Sequence, residues 1–180
     1  MQEIERGKLM DKTQIVKDCV FFSNLPAREI ATIASSSKLR EFKPDEVILK
    51  GDEPAGYSYI LLQGSVSLIN YEGDGQFEFE INEPGNIFGL SSFLEEFPKY
   101  SASVISNSGV KALEIPGLIV HTLLQKYPEF GFHFMKCLAH SIWTRYLKFR
   151  TAIFERQYEA QLRSRVRHPK VRINRDYHGN

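Results

Sequence analysis

The residues whose types and spacing suit chemistry gather in one stretch, NEPGNIFGLSSFLEEFPKYSASV, from Asn82 to Val104. Phe88, Gly89 and Leu90 lead into Ser91 and Ser92, and Lys99, Tyr100 and Ser101 follow beyond a proline. The order reads as a tight turn at Glu83-Pro84-Gly85, a short strand ending at Phe88-Gly89, and one or two helical turns over Leu90 to Glu95. A loop through Phe97-Pro98 then precedes an alternating strand from Ser101. A glycine directly before a short helix carries no Cβ, so a ligand can approach the backbone there. The first free N–H groups of such a helix bear partial positive charge and suit an anion such as a phosphate. That chemistry is binding, and nothing in it requires catalysis.

Other arrangements of reactive side chains are not found. His121, His133, His140, His168 and His178 show no HExxH or similar ligand spacing. His133 and His140 share a helix face seven residues apart but lack a third ligand, so no metal site is expected. Asp52 with Glu53, and Glu95 with Glu96, are adjacent acids rather than facing ones. There is no GxSxG elbow and no P-loop. Cys19 and Cys137 lack CxxC spacing and are expected to be buried or half-buried thiols of a reducing cytoplasm. Trp143 reads as core or interface packing, with a lid over a ligand as the alternative. The expectation is a protein that is not an enzyme and holds no dedicated cofactor.

The elements that must position the 82–104 stretch follow from period and punctuation. The 180 residues fit one domain with appendages, and the net charge of +1 hides an uneven distribution. MQEIERGKLM has no apolar run, and no segment approaches the eighteen or so apolar residues of a membrane span, so a soluble, cytoplasmic protein is expected. Residues 1–12 read as a flexible arm, 13–127 as a β-barrel domain with flanking helices, 128–167 as a long helix and 168–180 as a basic tail. Ile15, Val16, Cys19 and Val20 repeat at helical steps, with Thr13 as a possible cap. Asn24 is expected to start a second short helix, with Pro26 in its first turn.

From Lys38 the period changes. Strands are expected on either side of Lys43-Pro44-Asp45, and Gly51 to Gly56 forms another turn. Tyr57 to Leu62 and Val66 to Asn70 flank Gln63-Gly64 as a hairpin, and Tyr71 to Gly75 closes a second onto the alternating Phe77 to Ile81. Asn107-Ser108-Gly109 turns between closing strands. The expected fold class is α+β, a jelly-roll barrel of about eight short strands with short helices before it and a long helix after it. Its pocket would open at the 82–104 stretch. In the long helix, Met135, Leu138, Ile142, Tyr146, Phe149 and Ile153 make an apolar stripe too long for one small barrel to cover. The tail carries Arg163, Arg165, Arg167, Lys170, Arg172 and Arg175 against the single acid Asp176, a run that is solvated or that meets phosphates or an acidic partner.

The order EPGNIFGxxxxL…PKxSASV resembles the phosphate-binding cassette of the cyclic-nucleotide-binding domain family, which includes catabolite-activator-type regulators and protein kinase regulatory subunits. PDEVILKGDEPAGYSYILLQGSVSLI resembles that family's first strands, with Gly51 and Gly64 at its turn glycines, and FFSNLPAREIATIA resembles its N-terminal helix. The resemblance spans roughly Val20 to Arg150. In the family, a glutamate after Phe-Gly holds the ribose and an arginine across the loop pairs with the cyclic phosphate. Here the glutamate position is Leu90. The arginine position falls on Lys99 counted forward from Gly89, or on Tyr100 counted back from Val104. Lysine is a point charge without the planar fork, and tyrosine offers one neutral donor. By analogy with dimeric regulators of the family, the long helix implies a homodimer.

Three functional readings follow. The first is a non-enzymatic regulatory module that has lost the usual cyclic AMP or cyclic GMP binding and acts through a partner protein. The second is a sensor that still holds a cyclic nucleotide or other small ligand through Lys99, Ser91, Ser92 and Ser101. The third is nucleic-acid binding by the tail; the dozen or so residues after Pro169 cannot form a helix-turn-helix domain, so sequence-specific DNA recognition is not expected.

Overall fold

The two inner strands of one sheet, 57–63 and 110–116, each have two faces to bury, and the two faces enter different cores. Along 57–63, Ile60 joins the helix-side core while Tyr59 and Leu61 join the core between the sheets; along 110–116, Leu113 and Ile115 go one way and Ala112 the other. A side-chain period of two produces this division. The computed structural model describes residues 11–72, 75–94 and 99–167. Met1 to Met10 and the tail from His168, including Lys170, Arg172 and Arg175, lie outside the described residues.

In order, the elements are α1 (Lys12–Asp18), a 3₁₀ turn (Val20–Phe22), α2 (Ala27–Ser36), β1 (Lys38–Phe42), β2 (Val47–Leu49), β3 (Tyr57–Gln63), β4 (Val66–Glu72), β5 (Gly75–Ile81), β6 (Ile87–Phe88), a second 3₁₀ turn (Leu90–Phe93), β7 (Ser103–Ser106), β8 (Val110–Pro116), α3 (Gly117–Lys126) and α4 (Pro128–Arg167). Two antiparallel four-stranded sheets, ordered β1-β8-β3-β6 and β2-β7-β4-β5, face each other as the jelly-roll expectation requires.

Local corrections have local causes. The cap of α1 is Asp11, whose carboxylate accepts from the Thr13 N–H at 2.9 Å, so Thr13 is inside the helix and Lys12 belongs to it rather than to an arm. α2 begins at Ala27 and not Asn24, because Pro26 is extended (ψ 148°) and serves as the N-cap. The larger correction concerns Gln63-Gly64. β3 and β4 do not pair as a hairpin; they lie in different sheets, and Gly64 turns the chain from one to the other. The sheet change between β7 and β8 stacks on this corner: the Asn107 N–H donates to the Ser65 carbonyl (2.9 Å) and the Ser65 N–H to Ser108 Oγ (3.2 Å). Gly64 has φ +87°, and a Cβ there would sit 2.4 Å from the Gly109 carbonyl oxygen, so both conformation and space demand glycine.

The helix-side core is centred on aromatic rings. Phe134 of α4 meets Phe21 (5.3 Å between centroids), Phe22 (6.1 Å), Phe93 (5.2 Å) and Phe130 (5.6 Å). α2 is tied to the end of α3 by Glu29, a buried carboxylate that accepts from the Tyr127 hydroxyl (2.5 Å) and the Lys126 ammonium (3.1 Å). The Tyr127 hydrogen bond, followed by Lys126, holds the Glu29 carboxyl below its usual pKa of 4.5. A depressed carboxylate contributes stability above the unfolded pKa and loses it as pH falls through the lower folded value. The thermal midpoint of Glu29→Gln is therefore expected below that of the parent at neutral pH, with the gap narrowing on acidification below about pH 4.5. Parallel melting curves from pH 3 to 7, with a constant gap, would show that Glu29 has no such role.

Candidate functional site

The 82–104 stretch is assembled against β3. Gly85, at φ +89°, lets the chain turn so that its N–H reaches the Leu61 carbonyl (2.8 Å), while Leu61 N–H bonds to the Asn86 carbonyl (2.9 Å). β6 then pairs Phe88 with Tyr59 and Ile87 with Ile60. Gly89 adopts φ +77°, and a Cβ on it would lie 2.9 Å from the Tyr57 carbonyl oxygen and 3.0 Å from Leu49 Cδ1. The close approach that this glycine permits is thus made by the chain's own β3 backbone, where the sequence suggested a ligand. The helix after it is a single 3₁₀ turn of four residues rather than a longer helix to Glu95. Its N–H groups are partly spent, since Ser92 N–H bonds to the Gly89 carbonyl at 3.1 Å.

The candidate side chains separate into inward and outward sets. Leu90, Phe93 and Ser92 are buried, the first two in the helix-side core. The Ser92 hydroxyl lies 2.6 Å from that of Ser58, which also donates to the Gly89 carbonyl (2.8 Å). Phe88 stacks on Tyr59 with centroids 5.2 Å apart and planes 9° from parallel. Tyr100 is buried between the sheets, its hydroxyl donating to the Tyr57 carbonyl (2.8 Å) and accepting from the Tyr57 N–H (3.1 Å). Burial holds the Tyr100 phenol above its ordinary pKa. Ser91 is half-buried, while Lys99, bridged through its backbone to Pro54, and Ser101 are exposed. Alternation therefore settles which of the two neighbours faces inward: it is Tyr100.

Phe42, Leu49, Tyr59, Leu61, Phe88, Tyr100 and Val104 pack together between the sheets, in the space expected to open at this stretch. The polar atoms there are matched: the Tyr59 hydroxyl donates to buried Glu114 (2.9 Å), and Arg40 lies 3.6 Å from the same carboxylate. Burial, followed by the hydrogen bond to Glu114, pushes the Tyr59 phenol well above its usual range. A cavity of about 580 Å³ lies elsewhere, between α4 and the β5–β6 segment, and sequence reasoning missed it.

The long helix is realised, but one member of its expected stripe, Leu138, does not lie on the exposed face. Leu138 is buried in the helix-side core beside Phe134 and is not available to a partner, because a 100° step turns it toward the barrel while its neighbour Ala139 is exposed. Phe132, Met135, Ile142 and Tyr146 are exposed at 71, 50, 51 and 49%. Phe149 is exposed on one side and meets Phe77 of β5 edge-on at 4.9 Å; Ile153 is half-buried. Trp143 is 56% exposed and lies against Tyr146 (5.6 Å), so it covers no ligand space. The α4 backbone includes the positions of Arg163, Arg165 and Arg167. Cys19 is buried, its thiol pushed up to about 12 by burial, and Cys137 is half-buried with its thiol also raised by burial. Among the described residues no group of His, Cys, Asp or Glu could hold a metal ion, and no helix is long and apolar enough to cross a membrane.

Comparison with known proteins bears on this geometry. Residues 39–127 match the family model of the cyclic nucleotide-binding domain. Three solved structures are similar in fold. A protein of Geobacter metallireducens GS-15, provisionally named a cyclic nucleotide-binding protein, is 24% identical over 77% of this chain and 98% of its own (TM-score 0.63). The catabolite activator protein of Thermus thermophilus is 20% identical over 75% of this chain and 63% of its own (TM-score 0.58). The regulatory subunit of a cAMP-independent protein kinase A from Trypanosoma brucei, a mutant bound to cAMP in the A site, is 23% identical over 69% and 49% (TM-score 0.53). No curated protein sequence matches this chain.

Proposed function

The chain belongs to the cyclic nucleotide-binding domain family through residues 39–127, and from that premise we propose that it is a non-enzymatic regulatory module whose cassette has become packing. One observation carries this reading. Tyr100 is buried with its hydroxyl committed to both backbone groups of Tyr57, so the inward position opposite Gly89 has neither a cation nor a free donor for a phosphate. Leu90, buried in the core, offers the sugar no acceptor. Lys99, the available cation of the stretch, is exposed.

The working surface of such a module would be α4. Phe132, Met135, Ala139, Ile142, Tyr146, Phe149 and Ile153 follow one another at alternating steps of three and four, the spacing of a coiled-coil seam. Ala139 in mid-seam lets two helices come close. A second copy of the chain, presenting the same seam about a two-fold axis, is the occupant that matches it, and the pair would present a composite surface to a partner protein. The trypanosomal relative is by its name the regulatory subunit of a kinase that is cAMP-independent, and a regulatory role of that kind suits this packing.

Calorimetric titration with cyclic AMP and cyclic GMP tests the cassette. No saturable heat is expected below roughly millimolar nucleotide, and mass spectrometry of small molecules released from denatured protein should find no nucleotide. Micromolar binding that disappears on Lys99→Ala would establish the sensor reading instead.

A further inference from the structure

The cavity of about 580 Å³ has two unlike walls. One is formed by Val20, Phe21, Phe79 and the segment from Glu80 to Ile87, and sets two acids and two asparagines among its apolar side chains. The other is a polar face of α4. His133, Cys137, Ser141 and Arg145 form one row at steps of four, and His140, Thr144 and Lys148 form the adjacent row. The volume falls within the range of small-molecule sites.

His133 and Cys137 are bonded to the Val20 carbonyl, but three features mark the part of this face beyond them as open to a further partner. Arg145 is drawn out of water into the cleft, where one amino group donates to the Ile87 carbonyl. Burial lowers its pKa to about 10, and no carboxylate pairs with it among the described residues. A guanidinium has five donors, so one carbonyl leaves most of them to a further partner. Secondly, the two acids of the facing wall are turned to amides: Glu80 accepts from Asn107 Nδ2 (3.5 Å) and Glu83 from Asn86 Nδ2 (3.3 Å). Thirdly, the Lys148 ammonium lies over the Phe79 ring at 5.2 Å, a cation placed beside an apolar surface rather than on an acid.

We propose that the cleft between α4 and the β5–β6 segment binds a small phosphorylated molecule, with Arg145 as the anchor of its phosphate. The guanidinium presents paired donors to two oxygens, the Ser141 and Thr144 hydroxyls one helical step away offer donors to the remaining oxygen, and Lys148 neutralises charge from the rim. Phe21 and Phe79 receive the apolar part of the ligand. Asn82, Glu83, Asn86 and Ile87 border this cleft, but none of the residues from Phe88 to Ser101 lines it, so the site is separate from those candidate residues and the proposal does not depend on their binding nothing.

Filling the cleft would also bridge α4 to the Ile87 backbone, the first residue of the short strand that leads into Gly89. The ligand would therefore set how firmly the helix carrying the exposed seam is held against the barrel.

The test uses the full chain, labelled with ¹⁵N and titrated with phenyl phosphate, with phenol and chloride at matched ionic strength as controls. Saturating shifts are expected at the amides of Ile87, Ser141, Thr144 and Arg145 with phenyl phosphate and not with phenol. Arg145→Gln should weaken binding about tenfold or more, as loss of a charge-assisted contact does. Thr144→Val should weaken it by a smaller factor, and Lys99→Ala should leave it unchanged. If Arg145→Gln does not fold, the double variant Thr144→Val with Lys148→Gln decides. Shifts that never saturate, that centre on residues 88–101 rather than on Ile87 and α4, or that survive these substitutions undiminished would overturn the proposal; the last two would also separate it from any residual cassette binding.

Discussion

Replacing Ile142 by aspartate is expected to convert the proposed dimer into a monomer. Ile142 sits at the middle of the three-four seam, half exposed in the single chain, with Ala139 and Tyr146 on either side. In a two-fold pair both copies would carry the carboxylate into the same apolar contact. At about 2 kcal/mol or more for each unpaired charge, the two together raise the dissociation constant roughly a thousandfold. The fold should be untouched, because Ile142 belongs to neither of the buried clusters. Sedimentation at micromolar concentration should give the mass of two chains for the parent and one for the variant. Should the parent itself sediment as a monomer, the seam needs another occupant.

Phe134→Ala is expected to be the most damaging single truncation. The side chain is fully buried and touches four other rings, drawn from the first 3₁₀ turn, the turn after Gly89 and α4 itself. Cavities left by phenylalanine in such cores cost about 3–5 kcal/mol, against a total that for domains of this kind is about 5–15 kcal/mol. Urea denaturation should show the midpoint falling with little change of slope. A shift of less than about 1 kcal/mol would mean that the ring cluster repacks around the void. Since Phe134 joins Phe93 to α4, the variant should also loosen the 3₁₀ turn, visible as faster amide exchange at Ser92 and Leu94.

Much of the fold was legible because turns and strand faces are local signals. Pro44 and Gly51 punctuate the strands where they end, the alternation of Phe77, Phe79 and Ile81 places one wet and one dry face, and the turn expected over 71–75 is narrower, since Tyr71, Glu72 and Gly75 are still paired in the strands. The misread hairpin at Gly64 had the right local chemistry, a glycine at positive φ, but whether two strands pair across a turn depends on partners far away in sequence, here β7 and β8. One position of the stripe on α4 was misassigned because Leu138 and Ala139 are a single 100° step apart, and apolarity alone favours the leucine. The same preference for apolar residues hid the cleft. His140, Ser141, Thr144, Arg145 and Lys148 read as a solvated face, although an arginine recurring on the row of Cys137 and Ser141, adjacent to core positions, was a signal that the face meets the barrel. For the cassette, the sequence left the family's arginine position on Lys99 or Tyr100, and only burial in the folded chain shows Tyr100 to be the inward one.

The stacked corners at Gly64 and Gly109 have a mechanical consequence. They bind the two sheets along one edge, like the spine of a book, while Tyr57 and Gly89 lie at the far end of the same leaf. Across that fore-edge the clasp is the pair of bonds between the Tyr100 hydroxyl and the Tyr57 backbone. Opening of the leaves must begin there, so Tyr100→Phe should admit solvent between them without unpicking the spine.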